Sequence, residues 1–441
     1  MTSKYTKDLQ IFNAQQFRNS LSNPAYANVY FTFGQVTPWP IEQVPADTST
    51  SNENYYSVWK KMIGAKRITG NDVKNVIPRY NWTANTVYNA YDSSIDSLDM
   101  MQYPFYVVTT DWNVYKCLSN NYGAVSMAQP TSTATISDFQ TTDGYIWKYM
   151  YTISTADSLN YTTNDFIPVK TLTLNDGSSQ WLVQDYATAG SIDIINLTNF
   201  GSGYTSNDVS VIITGDGSEA NAFAQVNTTT GMITSIIVDN RGTNYTYANV
   251  NIYQANSVGS GATAKAMISP PGGHGSDPLN ELGGSYLLLN LELKSDESGI
   301  LLDTNKYRQI GIISNPTLYA TTVPVSDTVV SQLTVITLNG TSANYIENEY
   351  VYQGSSLANA NFYGIVAQWD SPNNIIKLTN VQGTPSSDLL VGKKSTAARF
   401  LQSIKTPAMQ IYSGQLLYIN NITPIARSID QTESFKIVLT F

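Results

Sequence analysis

The last seven residues of the chain read Phe435-Lys436-Ile437-Val438-Leu439-Thr440-Phe441. Large apolar residues alternate with polar or smaller ones, which is the period-two pattern of a β-strand with one buried face. A terminus with this pattern is expected to be held in a sheet. The turn before it, Asp430-Gln431-Thr432-Glu433, follows a second apolar stretch that begins near Ser413. The C-terminal segment therefore predicts two strands of a β-rich fold.

The composition predicts several domains with weakly charged surfaces. A chain of 441 residues exceeds the roughly 250 to 300 residues over which one hydrophobic core keeps growing, so about two to four domains are expected. Charged residues make up only 13% of the chain against a typical ~25%, and 30 residues are tyrosine. This balance suits large, permanent protein contacts. A neutral β-rich protein with Tyr on its strands would have the same composition.

The charge and hydropathy disfavour nucleic-acid and membrane partners. The net charge of −9 would repel phosphate backbones, and no cluster of Lys and Arg with interleaved aromatic residues occurs. No stretch approaches the roughly 20 apolar residues that span a bilayer, and residues 1–21 lack the apolar core of a signal peptide. We therefore expect a soluble protein that is made in a cytosol. Cys117 is the only cysteine, so it forms no intrachain disulfide.

His274 is the only histidine, and this count removes most catalytic and metal-binding arrangements. It lies in a connector rich in Gly and Pro, residues 270–278, where a hydrogen-bonded loop histidine is the default interpretation. Ser276 or Asp277 is predicted to cap a short helix that begins at Pro278.

Paired carboxylates are the remaining route to catalysis, because a glycosidase needs two of them roughly 5 to 9.5 Å apart. The sequence leaves such a pair open. However, Asp and Glu are sparse and lie mostly in turns such as Asp143-Gly144 and Asp216-Gly217, where turn formation is the simpler interpretation. Apart from such a pair, the residues predict no catalytic residue, no metal site and no cofactor site.

Hydrophobic periodicity predicts two helices near the N-terminus. The first runs from about Thr6 to Leu21. The second carries an apolar face at i, i+3, i+4 and i+7, formed by Tyr55, Val58, Trp59 and Met62. Gly64 is expected to stop this helix. A short helical turn is predicted after Asn71, ended by Pro78.

From Phe105 onward the pattern is almost entirely that of strands. Residues 107–118 predict a hairpin that turns at Asp111-Trp112-Asn113. Residues 144–153 predict a strand with four aromatic residues on one face, namely Tyr145, Trp147, Tyr149 and Tyr151. Because the opposite face is also apolar, these aromatics predict a core or interface face, with an exposed platform for sugars as the alternative.

An internal repeat lies between about residues 184 and 270. Gly201-Ser202-Gly203-Tyr204-Thr205 recurs as Gly242-Thr243-Asn244-Tyr245-Thr246, 41 residues later. Alternating alanines at 220, 222 and 224 recur at 262, 264 and 266. Two copies of one β-unit are expected to pack together, since each is too small to bury its apolar face alone. The alanines would let another sheet or chain approach closely.

Blocks of residues along the chain resemble, in the same order, a baseplate wedge subunit of T-even-type contractile-tailed bacteriophages. They include Val29–Gly34, Trp59–Gly64, residues 143–149, residues 307–316 and the C-terminal turn and strand. The residues that carry this resemblance are Phe33, Gly34, Trp39, Trp59, Gly64, Pro78, Arg79, Asp143, Gly144, Tyr145, Trp147, Arg308, Gln309, Asn315, Pro316, Gly414, Asp430, Gln431, Thr432, Glu433 and Phe441.

The residue patterns predict a mainly β fold with a few short N-terminal helices, and the resemblance implies a multi-domain β-sandwich core. The chain departs from the family pattern in two inserted β-rich modules, which the resemblance does not explain. The core would comprise residues 1–183, 284–329 and 406–441. Residues 184–283 would form an inserted repeat module, and residues 330–405 an inserted small β-barrel or sandwich. The C-terminal segment would then return to pack with the N-terminal half of the chain.

The same resemblance implies a non-enzymatic structural subunit of the virion tail baseplate, made in the host bacterial cytoplasm and without a small-molecule substrate. The subunit would be homodimeric and in contact with other wedge proteins through large interfaces. It would hold the wedge together during assembly and the triggering of contraction. Two other classes stay open. A receptor- or carbohydrate-binding tail protein would also be β-rich and aromatic, and a tail-associated glycosidase would need a carboxylate pair in a cleft.

Overall fold

A computed structural model describes residues 5–22, 28–205, 209–254 and 259–441, and it confirms the predicted mainly β, multi-domain fold. The helices are α1 (Lys7–Ser22), α2 (Asn52–Lys61), α3 (Ser97–Met100), α4 (Thr155–Tyr161), α5 (Ser179–Asp185) and α6 (Pro278–Glu281). None of the helices in these ranges is long and apolar enough to cross a membrane.

The strands are numbered in chain order. They are β1 (Val29–Gly34), β2 (Met62–Arg67), β3 (Val73–Pro78), β4 (Tyr106–Val108), β5 (Asn113–Ser119), β6 (Phe139–Gln140), β7 (Ile146–Thr152), β8 (Phe166–Pro168), β9 (Ile192–Ser202), β10 (Val209–Gly215), β11 (Asn221–Asn227), β12 (Met232–Asn240), β13 (Ala248–Gln254), β14 (Ser260–Ile268), β15 (Tyr286–Lys294), β16 (Lys306–Ser314), β17 (Val329–Ser331), β18 (Thr334–Asn339), β19 (Tyr350–Gly354), β20 (Ala360–Asp370), β21 (Ile375–Gly383), β22 (Leu389–Gly392), β23 (Ala398–Lys405), β24 (Gln415–Ala426) and β25 (Thr432–Thr440).

The chain divides into two compact units. Unit 1 consists of Met1–Gln16, Lys74–Leu288 and Val438–Phe441. Unit 2 consists of Phe17–Val73 and Leu289–Ile437. Each unit is therefore assembled from segments that are distant in sequence.

In unit 1, a four-stranded sheet has the order β4-β5-β7-β6. The predicted hairpin is confirmed as β4 and β5, and Trp112 in its turn has a left-handed φ of 60°. The four aromatic residues predicted on one face are all buried, but they do not share one core cluster: Tyr145, Trp147 and Tyr149 pack in one, whereas Tyr151 packs with Met150 in another. A register shift between Val114 and Tyr115 of β5 accompanies this change. The sheet is therefore covered on both sides, which confirms the core interpretation of these aromatics.

The two copies of the sequence repeat form one six-stranded sheet in unit 1, with the order β12-β11-β10-β13-β14-β9. We call residues 192–268 the repeat module. Its strands follow a two-fold pattern centred between β10 and β13, because β12 flanks one end and its counterpart β9 flanks the other. The alanines of the repeat line its interior: Ala222, Ala224 and Ala266 are buried in the module core. These small side chains let the module's own strands pack closely.

The tyrosine of each copy is bonded to the other copy. The hydroxyl of Tyr204 accepts from the backbone N–H of Ala262 at 3.2 Å, and that of Tyr245 accepts from Ala220 at 3.4 Å. Gly201 precedes Tyr204 with a φ of 63°, and an added Cβ would lie 2.6 Å from Ala262 N. The glycine and tyrosine of the repeat therefore form one reciprocal contact between the copies.

In unit 2, a five-stranded sheet has the order β17-β2-β1-β16-β24. Strand β24 of the C-terminal segment pairs with β16, which in turn pairs with the N-terminal strand β1. Phe435 of β25 packs on Phe31 of β1, with ring centroids 4.8 Å apart. The predicted return of the C-terminal segment to an N-terminal strand is confirmed at these contacts.

Two predictions of local structure near the N-terminus are wrong. Gly64 does not stop α2, because the helix ends at Lys61 and Gly64 lies within β2. An added Cβ there would come within 2.6 Å of Leu301, so the glycine serves close packing on β2. The predicted helical turn after Asn71 is instead β3, which starts at Val73. Val73, Val76 and Ile77 have the spacing of a helical turn, but all three are buried in the strand.

The second module of unit 2 is a closed barrel with the order β18-β21-β20-β19-β22-β23. Its interior is filled by apolar side chains, including Ile336, Val351, Phe362, Val366 and Leu378. Closure leaves no strand edge unpaired around the barrel wall.

Candidate functional site

A cluster of ionisable side chains lies in unit 1, where β5 meets the connector before α6. Lys116 Nζ donates to Glu281 Oε2 at 2.8 Å and lies 3.0 Å from His274 Nδ1. The ring of Tyr91 covers the ammonium, with Nζ 4.2 Å from the ring centroid. Lys116, His274 and Glu281 are buried. We call these four residues the ionic junction.

The protonation states in the ionic junction follow from its burial. Desolvation lowers the pKa of Lys116, and the negative charge of Glu281 opposes that shift. Desolvation also lowers the pKa of His274 well below its usual value, and the positive charge of Lys116 adds to this effect. His274 is therefore neutral, and its Nδ1 can accept the hydrogen bond from Lys116.

The local sequence positions Glu281 and His274. Asp277 caps α6 by accepting from the backbone N–H of Asn280 at 3.2 Å, which confirms the predicted cap. Oε1 of Glu281 accepts from the backbone N–H of Gly275 at 2.7 Å. Gly275 has a φ of 91°, a conformation that glycine adopts without strain. The connector thus folds back so that its histidine and the glutamate of α6 both contact Lys116.

Further ion pairs surround the ionic junction and involve the repeat module. Arg241 Nη1 donates to Asp193 at 3.0 Å, and Lys265 Nζ donates to Asp92 at 2.9 Å. The hydroxyl of Tyr91 donates to the carbonyl of Ile268 at 3.2 Å. The contacts of Lys265 and Ile268 join strands of the repeat module to the loop that carries Tyr91 and Asp92, whereas the Arg241–Asp193 pair lies within the module.

The ionic junction has the chemistry of a structural support. Lys116 directs its hydrogens at a carboxylate, an imidazole and an aromatic face, which leaves it fully partnered. No hydroxyl or thiol in the described ranges bonds to His274, so no nucleophile and base are paired there. Over the same ranges, no group of three or more His, Cys, Asp and Glu side chains is arranged to hold a metal ion.

The motif residues Asp143 to Trp147 lie in a loop of unit 1 and the strand that follows it. Asp143 Oδ2 accepts from the backbone N–H groups of Met127 and Ala128 at 2.7 and 2.9 Å. Burial alone would raise the pKa of Asp143, but hydrogen bonds from Thr141 and these amides outweigh it and lower the pKa to about 2. Asp143 therefore ties two loops together as a permanent carboxylate.

Arg308, a motif residue of β16, forms a bidentate ion pair in unit 2. Its Nε and Nη2 donate to the two carboxylate oxygens of Glu42 at 2.8 and 2.5 Å. Its Nη1 donates to the carbonyl of Val36 at 2.6 Å. The adjacent Gln309 donates to the Asn421 side chain of β24 at 2.7 Å. Strand β16 thus holds both the loop after β1 and strand β24 in place.

Glu433, in the C-terminal motif, pairs with Arg427 across the turn between β24 and β25. Arg427 Nε lies 3.2 Å from Glu433 Oε2, and its Nη1 donates to the carbonyl of Leu302 at 2.6 Å. The Nη2 group donates to the carbonyl of Ser295. Burial raises the pKa of Glu433, and Arg427 opposes that shift. The guanidinium is buried and fully hydrogen-bonded.

The remaining motif residues fill backbone and packing roles in their own units. Trp39 donates from its indole to the carbonyl of Ile422 at 3.1 Å, and Trp59 is buried. Arg79, after Pro78, donates to the carbonyl of Thr163 at 3.0 Å. An added Cβ would clash with backbone atoms at both Gly34 and Gly414.

The other motif residues flank turns. Asn315 has a φ of 51° and accepts from the backbone N–H of Asn28 at 2.9 Å, and Pro316 follows it. Gln431 donates to the carbonyl of Ala426 at 3.0 Å, between Asp430 and Thr432. Phe441 is half-buried. The motif residues are thus dispersed over both units and do not converge on one cleft.

The sequence patterns did not reveal three charged partners: Lys116 for His274, Glu42 for Arg308 and Arg427 for Glu433. A signal existed for Lys116, because a lysine between Tyr115 and Cys117 in an apolar strand must either reach solvent or be paired. Its partner Glu281 lies 165 residues away in sequence, and local patterns carry no information about it.

The fold and these clusters define a class: a multi-domain β-protein whose buried charged residues brace its loops and strands. In sequence, the chain is 25% identical over 223 residues to the baseplate wedge protein gp8 of Enterobacteria phage T4. The match covers 43% of this chain and 66% of that protein, just under two thirds of its length. No protein-family profile matches the chain.

Proposed function

We propose that this chain is a non-enzymatic structural subunit of a phage tail baseplate wedge. The observation that carries the proposal is the sequence similarity to a baseplate wedge protein over 223 residues. The order of the motif blocks along the chain supports it. The buried ion pairs also support it, because they brace the fold. In the described ranges, no hydroxyl or thiol nucleophile is hydrogen-bonded to His274. The protein would act by offering large complementary surfaces to its neighbours.

We further propose that the protein is a homodimer that contacts other wedge proteins and holds them together during assembly and the triggering of contraction. Low charge and exposed aromatic side chains such as Tyr56, Tyr186 and Tyr412 support extensive protein contacts. Light scattering of the purified chain should give the mass of a dimer. A stable monomer at micromolar concentration would count against the proposal.

The decisive test of location is a map of the intact virion. Cryo-electron microscopy of the tail should place this chain in the baseplate, in contact with wedge proteins. Density for this chain elsewhere in the particle, or its absence from purified tails by mass spectrometry, would overturn the assignment. Peptidoglycan release by the purified protein would contradict the non-enzymatic role.

We propose a discontinuous core of residues 1–183, 284–329 and 406–441, interrupted by inserted modules at 184–283 and 330–405. The packing of Phe435 on Phe31 supports a core closed by the C-terminal strand. Deleting residues 435–441 should therefore abolish the soluble dimer, as judged by gel filtration. A soluble dimer of the truncated chain would refute this division.

A second candidate function, receptor or carbohydrate binding, has one observation in its favour. On the outer face of the repeat module, register places Ile237, Phe223, Ser210 and Tyr253 in one row across four strands. Phe223 and Tyr253 are 48% and 55% exposed. Glycan-array binding that is lost in Tyr253→Ala but retained in Tyr103→Ala would support this candidate, and a blank array would remove it.

A further inference from the structure

A groove of about 410 Å³ opens in unit 2 between β21 of the barrel, the end of α2 and the loop before β24. Five of the side chains that line it are Lys60, Tyr319, Asn380, Gln382 and Tyr412. We call these five the groove residues. The volume falls in the range of roughly 300 to 1,000 Å³ that is typical of ligand pockets.

The groove is built on side chains that are already hydrogen-bonded. Thr379 donates to the carbonyl of Lys60 at 3.1 Å, which joins the barrel to α2. The side chain of Gln332 bonds to both the N–H and the carbonyl of Met409, at 3.0 and 2.9 Å. The walls therefore have a fixed shape.

The groove residues, by contrast, have free hydrogen-bonding capacity. The amides of Asn380 and Gln382 and the ammonium of Lys60 make no side-chain hydrogen bond or ion pair within the described ranges. The same holds for the hydroxyl of Tyr319. Four polar groups thus face one concavity without partners from the parts of the chain that the structure describes.

Two groove residues adopt a left-handed backbone conformation although neither is glycine. Tyr412 has a φ of 68° and Asn380 a φ of 51°. For an aromatic residue this conformation costs roughly 1 to 2 kcal/mol. The ring of Tyr412 is held at the groove by an edge contact with Tyr56, with centroids 4.9 Å apart. Strained positions of this kind cluster at binding sites.

The chemistry of the groove selects its occupant. A primary amide offers a donor and an acceptor together, which matches the N–H and C=O of a peptide backbone. Tyrosine rings offer apolar surface with a polar tip, the combination enriched at protein interfaces. Lys60 is the only charged side chain among the lining residues, so it favours a carboxylate. No Asp or Glu lines the groove to accept hydrogen bonds from sugar hydroxyls.

We propose that the groove docks a polypeptide segment of a neighbouring tail protein, with an Asp or Glu side chain placed against Lys60. This inference rests on the proposed function, because it takes the neighbour to be another subunit of the assembled tail. The amides of Asn380 and Gln382 bond the backbone of that segment. Tyr319 and Tyr412 pack against its apolar side chains.

A photo-crosslinking experiment in assembled particles tests the proposal. The crosslinker p-benzoylphenylalanine replaces Tyr319 in one variant and Tyr412 in another, and Tyr103, which is exposed and outside the groove, serves as the control. Irradiation should join both groove positions to one segment of one neighbouring protein, mapped by mass spectrometry to within a few residues of an Asp or Glu. The control position should not reach that segment.

Charge variants give a second readout with the identified segment as a synthetic peptide. Lys60→Glu should weaken peptide binding to the dimer at least tenfold, whereas Lys60→Arg should change it less than threefold. Lys393→Glu makes the same change in net charge on the exposed barrel surface and should leave binding unaltered.

The outcomes separate this inference from the proposed function. If the chain enters the baseplate but Tyr319 and Tyr412 crosslink to nothing, or to a glycan, the groove proposal fails and the wedge proposal stands. Equal loss of binding in Lys60→Glu and Lys393→Glu would also overturn the docking of a carboxylate at Lys60. If the chain is absent from the tail, the wedge proposal itself fails.

Discussion

Two buried ion pairs beside aromatic rings, one in each unit, use different cations. In unit 1, Lys116 lies 2.8 Å from Glu281. In unit 2, Arg427 lies 3.2 Å from Glu433. A lysine ammonium is a compact charge whose pKa moves when it is buried, whereas a guanidinium stays charged and offers a rigid planar set of donors.

The partners around the two cations differ accordingly. Lys116 shares its hydrogens with the neutral imidazole of His274, a group that can itself gain a proton. Arg427 shares its hydrogens with the carbonyls of Leu302 and Ser295, which cannot. We therefore expect the stability of the Lys116 site to depend on pH. The stability of the Arg427 site should instead depend on the planar shape of its cation.

The largest effect is expected from Glu281→Gln. This change leaves Lys116 as a buried cation without its counter-charge, and breaking a buried ion pair in this way costs about 3 to 5 kcal/mol. Urea-induced unfolding should show that loss, and hydrogen exchange should rise in peptides that cover β5. Glu219→Gln, at an exposed position, should change the free energy of unfolding by less than ~0.5 kcal/mol. Equal effects at both positions would remove the ion pair as the cause.

Arg427→Lys should destabilise the protein by about 2 kcal/mol although the charge is conserved. One ammonium cannot reach Glu433 and both carbonyls at once, so at least one buried carbonyl loses its donor. Lys294→Arg, on a side chain that is 68% exposed, is the matched control and should be neutral. Denaturation midpoints of the two variants measure the difference. A neutral Arg427→Lys would show that the shape of the cation does not matter.

The pH dependence should come from His274. Its pKa is depressed in the folded state, so below about pH 6.5 the unfolded chain binds a proton that the folded chain does not. Stability from this residue is therefore fully present above about pH 6.5 and is lost as the pH falls, by up to about 1.4 kcal/mol per pH unit. Unfolding at pH 7.5 and pH 5.5 should show this loss.

His274→Gln is the control for that experiment. Glutamine can still accept the hydrogen bond from Lys116 but does not titrate. The variant should lose about 1 kcal/mol less than the wild type on acidification. Parallel pH curves for the two proteins would contradict a neutral histidine in the ionic junction.

The smallest effect is expected from Tyr91→Phe. The ring stays over Lys116, and only the hydroxyl bond to Ile268 is removed, so the loss should be about 1 kcal/mol. Thermal unfolding by calorimetry is sensitive enough to detect it. A loss above ~3 kcal/mol would mean that the hydroxyl also supports the ionic junction.

The fold could be predicted where a pattern is local. Alternation predicted the hairpin β4–β5 and the buried aromatics of β7, and the capping residue Asp277 predicted α6. Prediction failed at Gly64, because the contact that requires a glycine comes from Leu301, more than two hundred residues later. Local sequence shows that a glycine is special without showing why.

The candidate site was less predictable for the same reason. The loop around His274 was found, and its default interpretation as a hydrogen-bonded histidine holds. Its partner Lys116 lies 158 residues away, and neither residue carries a motif that refers to the other. Buried ion pairs are created by tertiary packing, so a single sequence shows them only as charges in apolar surroundings.

The reciprocal bonds of Tyr204 and Tyr245 make each half of the repeat module dependent on the other. Each tyrosine hydroxyl accepts a hydrogen bond from a backbone N–H of the opposite copy. A single copy would therefore lack the donor for its tyrosine hydroxyl and the acceptor for its backbone N–H. The two copies thus exchange equivalent hydrogen bonds in both directions. Removing either hydroxyl would therefore leave an amide of the opposite copy without its acceptor, so each copy completes the other.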